Sequence, residues 1–260
     1  MKRRTFNKIA GLGAVGLGMT GPSCTPSQPA THILSLSFDD GFKKSFYTIA
    51  DIYEKHGLSA CFNVIASGHL DDFEAVDPYI LPEILGDFND WNALLKRGHE
   101  VMPHSWKHAN LGKMPLEEAQ GLIEKCLAFF EKHLDGYDGT KAVFNFPFNS
   151  STKALNDWTA TKVRAIRTGG GDALNPIPNV DSKILYCASK GPENIDNWVE
   201  EKVESFLKEK GGWLILNTHG LDGEGWGPMS AARLDEMLER WVKVSGLEIL
   251  PVGMALEKYG

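Results

Sequence analysis

The chain has 260 residues, 42% of them hydrophobic and 23% charged, with 27 basic against 34 acidic side chains and a formal net charge of −7. This is the composition of a soluble globular protein long enough to bury a substantial core, which excludes a peptide-sized scaffold. The acidic balance excludes nucleic acid as a partner, because sequence-independent binding needs a basic face to displace phosphate counterions.

Residues 1–24 differ from the rest. Lys2, Arg3, Arg4 and Lys8 precede an apolar, glycine-rich run from Ile9 to Met19. That run is too short for a permanent membrane span but fits the core of an export signal. Arg3-Arg4-Thr5-Phe6-Asn7-Lys8 resembles the twin-arginine motif, which implies export of a folded protein. Cys24 follows Gly21-Pro22-Ser23 and is a candidate for lipid attachment, with simple cleavage nearby as the alternative. The expected location is therefore periplasmic, anchored to the cell envelope or extracellular, and a lipid on Cys24 is the one membrane attachment expected. Without residues 1–24 the chain carries 23 basic and 34 acidic side chains, a net charge of −11. Residues 25–32, with Pro26 and Pro29, read as a linker, and residues 33–260 as one domain.

From Ile33 onward short apolar runs alternate with helical patterns. Ile33 to Phe38 reads as a strand, Lys43 to His56 as a helix, Ala60 to Ile65 as a strand, Asp87 to Arg97 as a helix and Glu100 to Met102 as a strand. Pro115 to Leu134 is the clearest helix, with Leu116, Ala119, Leu122, Ile123, Cys126, Leu127, Phe130 and Leu134 recurring at intervals of three and four. Lys141 to Phe146, Lys162 to Ile166, Lys183 to Cys187 and Trp213 to Asn217 are further strands, interleaved with helices near 152–161, 194–209 and 230–244. Such alternation predicts an α/β fold of parallel strands, as an open sheet or a barrel, with reactive residues at the C-terminal ends of strands. Cys61, Cys126 and Cys187 are odd in number and lack CxxC spacing, so they read as buried thiols.

Three polar clusters obey the strand-end rule. Asp39 and Asp40, followed by Gly41, put two carboxylates in one small volume, a repulsion that a cation or a shared proton relieves. Alone, the same residues also make an ordinary polar turn. His104 and His108 stand four apart, so on one helical turn both rings would face the same metal ion. Together the clusters supply two imidazoles, one carboxylate ligand and one spare carboxylate, a donor set for a catalytic metal with open positions. The third cluster puts His219 at the end of the apolar strand Trp213 to Asn217, where an imidazole is a candidate proton donor. Trp106, Trp226 and Phe148 lie in or beside these loops and are candidates for stacking on a flat ligand or for ordinary packing.

Four segments, Ser37-Phe38-Asp39-Asp40-Gly41, His104-Ser105-Trp106-Lys107-His108, Phe144-Asn145-Phe146-Pro147-Phe148 and Leu216-Asn217-Thr218-His219, resemble in order and separation the polysaccharide deacetylase family, carbohydrate esterase family 4. The resemblance runs from about Ile33 to Leu256. It implies a distorted (β/α) barrel with about seven parallel strands, one divalent metal and removal of N- or O-linked acetyl groups from an acetylated glycan. It makes Asp40, His104 and His108 the metal ligands, Asp39 the general base, His219 the general acid, and the main chain at Phe148 an oxyanion donor, with Asn145, Trp106 and Trp226 near the substrate. Zn2+ is the expected ion, and Co2+, Ni2+ and Mn2+ suit the same donors.

The chain departs from the family where an arginine usually orients the base, since Asn145 stands there. The form Phe-x-Phe-Pro-Phe is similar to the poly-N-acetylglucosamine deacetylase branch, which also lacks that arginine. Arg167, just past an expected strand end, is the candidate for a substitute charge beside Asp39, and Asp172 and Asp181 are candidates to tune His219. A catalytically weak or silent metal-containing sugar-binding protein, and an amidohydrolase of small non-sugar amides, remain as alternatives.

Overall fold

The computed structural model describes residues 31–170 and 173–260. The expected export signal, Cys24, most of the expected linker and Asp172 lie outside the described residues. In chain order the elements are β1 (His32–Phe38), α1 (Lys43–Lys55), β2 (Cys61–Val64), α2 (Phe88–Lys96), β3 (Glu100–Pro103), α3 (Leu116–His133), β4 (Val143–Asn145), α4 (Lys153–Thr159) and β5 (Ala165–Gly169). Then come β6 (Leu174–Asn175), β7 (Ile184–Cys187), α5 (Asp196–Phe206), β8 (Gly212–Thr218), α6 (Ala231–Trp241), β9 (Leu247–Ile249) and α7 (Val252–Tyr259).

The helices form because their apolar residues recur on one face. Phe46, Ile49, Ala50 and Tyr53 turn α1 onto the sheet, and Ala119, Ile123, Cys126 and Phe130 do the same for α3. α2 starts where the Asp87 carboxylate accepts from the N–H groups of Asn89 and Asp90, while the Asp90 side chain accepts from the Asp87 N–H. This reciprocal cap satisfies donors that the first turn leaves without partners.

β1 is the spine of the fold. It pairs with β8 along its whole length, from His32 opposite Gly212 to Phe38 opposite Thr218. Its upper end pairs with β2 and its lower end with β9. β2 continues to β3, and β4 to β5 to β7, all parallel. β7 meets β8 through a parallel bridge between Ala188 and Leu216, and β4 approaches β3 where the Asn145 side chain donates to the Pro103 carbonyl at 3.3 Å. Among the described residues, the parallel strands therefore close in the order β1-β2-β3-β4-β5-β7-β8 into a distorted barrel of seven, as expected. β8 is buried at every position, which is why it reads as a continuous apolar run.

The structure differs from the sequence reading in a few elements. The strand expected at 162–166 starts three residues later, because Lys162 and Val163 donate back to the Thr159 carbonyl and finish the turn of α4. Arg167 is thus inside β5 rather than past a strand end. β6, β9 and α7 were not anticipated, the two strands having only two and three residues. Cys61, Cys126 and Cys187 are free and buried, as expected.

Candidate metal-centred active site

Asp39 and Asp40 follow β1, His104 follows β3, Phe148 and Asn149 follow β4, and Asn217 and His219 end and follow β8. All stand at the C-terminal ends of parallel strands, where they line a cleft of about 400 Å³ with Val76, Asp77, Tyr79, Ser189 and Trp226. A second cavity of about 430 Å³ opens at the opposite face, beside Glu100. There the Glu100 carboxylate accepts from the Met254 N–H at 3.0 Å and caps α7, a structural use of a buried acid.

The loops that aim these side chains are strained. Asp40, Ser105, His108, Phe148 and Asn149 all have positive φ, between +49° and +81°, a costly region for residues other than glycine. Gly41, at φ +102°, closes the turn after Asp40, and a Cβ there would lie 3.2 Å from the Trp91 ring. Gly169 has the opposite task of leaving space, since a Cβ on it would come within 2.8 Å of the Asn149 carbonyl. His104 and His108 do not share a helical turn. The main-chain carbonyls of Ser105 and Trp106 accept from Ala66 and Ser67, and the His108 N–H donates to Ser105 Oγ at 3.0 Å, so a bent loop replaces the helix.

This loop still brings both rings to one point. Nε2 of His104 lies 3.4 Å and Nε2 of His108 lies 3.3 Å from Asp40 Oδ1. A tetrahedral site with ligand bonds of about 2.0–2.1 Å has edges of about 3.3–3.4 Å, so one ion fits this spacing. Nδ1 of His104 donates to the Asn145 carbonyl at 2.9 Å, which leaves the lone pair of Nε2 toward Asp40. Asp40 Oδ1 is buried without a hydrogen-bond partner among the described residues, a state that a cation would satisfy. Burial pushes His108 down to about 4, so its imidazole is neutral and able to ligate near pH 7. Burial alone would raise Asp40, but the neighbouring imidazoles of His108 and His104 hold its carboxyl below the usual range.

Asp39 is 2% exposed and fully engaged. Its Oδ1 accepts from Asn63 Nδ2 at 2.7 Å, and its Oδ2 accepts from Arg167 Nη2 at 2.6 Å and Asn217 Nδ2 at 2.7 Å. Arg167 is fully buried, and although burial disfavours its charge, Asp39 holds it protonated. His219 faces the same cleft. Trp226 packs edge-on against its ring at 5.6 Å, and its Nδ1 is buried without a partner among the described residues. Asp181 does not tune it, because that residue sits in an exposed turn before β7, at the opposite end of the strands.

Two expected substrate residues are placed elsewhere. Asn145 is 1% exposed and turns under the cleft, donating to Asn63 Oδ1 at 2.7 Å and accepting from Arg167 Nε at 2.6 Å. Trp106 packs on Phe129 beneath the ammonium of Lys125, and lines a neighbouring cavity rather than the cleft. Its place in the cleft is taken by Val76, Asp77 and Tyr79 of the long β2–α2 connection. Phe148 is 47% exposed and packs against His108 with tilted rings, their centroids 4.7 Å apart. Sequence reasoning overlooked Asn63, whose signal is a polar residue inside the apolar strand Cys61-Phe62-Asn63-Val64.

Solved structures share this architecture. The peptidoglycan deacetylase PdaC from Bacillus subtilis is 18% identical with a TM-score of 0.54, over 88% of this chain and 92% of that one. The Xyl-CE4 domain of a multidomain xylanase from the hindgut metagenome of Trinervitermes trinervoides is 16% identical with a TM-score of 0.53, over 89% and 91%. BA3943, a CE4 family pseudoenzyme from Bacillus anthracis, is 14% identical with a TM-score of 0.55, over 89% and 68%. No curated protein matches the chain. The sequence model of polysaccharide deacetylases matches residues 27–186, well over half of the chain and inclusive of Asp39, Asp40, His104, His108 and Phe148, so the chain belongs to the polysaccharide deacetylase family.

Proposed function

We propose that the chain is a metal-dependent hydrolase that removes N- or O-linked acetyl groups from a carbohydrate polymer or oligosaccharide. The observation that carries this reading is the spacing of Asp40, His104 and His108 for one ion, with a separate carboxylate and imidazole on the same cleft. A divalent ion bound there would supply Lewis acidity and water activation. Asp39 is the base that takes the proton from the attacking water. Arg167 pairs with its carboxylate at 2.6 Å and orients it. The Phe148 N–H, fixed by the positive-φ turn, is the donor to the developing oxyanion, a contact typically worth about 3 kcal/mol. His219 donates a proton to the departing amine or alcohol. Trp226, packed on His219, lines the wall for a sugar ring. The segment from Arg3 to Met19 supports a place outside the cytoplasm, to be checked by cell fractionation.

Acetate release across acetylated glycans, with chelator treatment and the Asp39→Asn and His219→Ala variants as controls, tests the reading. Release well above those controls is expected. Metal binding with no release from any substrate would favour a silent sugar-binding protein.

A further inference from the structure

The reading of Asp39 as the base leaves open how its carboxylate is aimed. We propose that Asn145 and Asn63 are positioning residues for Asp39, which with Arg167 close a ring of four hydrogen bonds around it. Arg167 Nη2 donates to Asp39 Oδ2 at 2.6 Å, and Arg167 Nε donates to Asn145 Oδ1 at 2.6 Å. Asn145 Nδ2 then donates to Asn63 Oδ1 at 2.7 Å, and Asn63 Nδ2 donates to Asp39 Oδ1 at 2.7 Å. No member is more than 2% exposed.

The ring has one possible direction. A guanidinium only donates and a carboxylate only accepts, so each amide between them must turn its oxygen toward Arg167 and its nitrogen toward Asp39. With both oxygens of Asp39 held, its plane cannot rotate. The ring also spans the weak seam of the barrel, joining β1 and β2 of one sheet to β4 and β5 of the other, beside the β3–β4 gap. It therefore sets Asp39 relative to the Phe148 turn that follows β4. An apolar filling would avoid the desolvation cost of four buried polar groups. Their place directly beneath the cleft fits a role in aiming the base.

Asn145→Asp tests this. It keeps the shape and the acceptor for Arg167, but sets an oxygen against Asn63 Oδ1 and breaks the direction of the ring. Its main-chain carbonyl still accepts from His104, so bound metal is retained. A fall in kcat of about 10–100-fold, at unchanged KM and metal content, is expected from a misplaced group. Asn63→Asp breaks the next link and should show the same split. Unchanged kcat, or a loss expressed in KM or metal content, would overturn the proposal. Should Asn145→Asp fold poorly, Asn145→Ser removes the donor without adding charge and carries the same expectation. The 13Cγ resonance of Asp39 in the full chain reads the ring without turnover. It should move in Asn145→Asp, and an unmoved resonance refutes the ring. If the wild-type chain releases no acetate, the hydrolase reading fails while this resonance still decides the ring.

Discussion

Replacing Arg167 by methionine removes the guanidinium counter-charge of a buried carboxylate. Arg167 is 0% and Asp39 2% exposed, and they meet at 2.6 Å. The substitution keeps a long apolar stem but leaves Asp39 with two amide donors and no cation, and leaves Asn145 Oδ1 without its guanidinium partner. Breaking one side of such a buried pair costs about 3–5 kcal/mol, a large share of a stability of about 5–15 kcal/mol. Adding Asp39→Asn to Arg167→Met removes the stranded charge, so the double variant should recover at least about 2 kcal/mol of the loss, a non-additivity expected of contacting residues. Urea unfolding of metal-free protein at pH 7, read by circular dichroism, measures all four corners of the cycle. A loss below about 1 kcal/mol in Arg167→Met, or simple additivity in the double variant, would refute the reasoning, because Asp39 would then not depend on Arg167.

The metal-free chain should lose stability as pH falls from 6.5 to about 4. The unfolded chain takes up a proton at His108 through that window while the folded chain, with His108 pushed down to about 4 by burial, does not. The full effect is about 3 kcal/mol, with His69 and His99, also lowered by burial, acting in the same direction. Denaturation midpoints measured across that range check it, and a flat profile would contradict it. Asp40→Asn, His104→Ala and His108→Ala should each weaken metal binding by more than the ~10–100-fold that loss of an outer partner costs, read by elemental analysis after dialysis. Gly169→Ala should cost about 1–3 kcal/mol by driving a Cβ against the Asn149 carbonyl, read as a lower Tm.

Most elements were legible because their patterns are local. The faces of α1 and α3 are periodic, and β1 and β8 are apolar runs because both of their faces are buried. The metal-ligating residues were legible too, since Asp40 and the His104–His108 pair are short motifs at strand ends. Their aim was not. The expected helical turn for the two histidines is a loop, because contacts from Ala66 and Ser67, some 40 residues away in sequence, take up its main-chain groups.

The amino-acid sequence by itself determined which residue types carry the chemistry and which strand ends present them, because motifs and hydrophobic periods are properties of neighbouring residues. Only the tertiary structure decided what surrounds Asp39. Arg167 lies within β5 and is fully buried, and the closure of the strands brought Asn63 and Arg167 onto one carboxylate, with Asn145 bridging the two. These groups lie between 22 and 128 positions apart along their hydrogen bonds. No local pattern marks such a ring. It exists because buried polar groups must find partners, and the barrel offers them only across its interior.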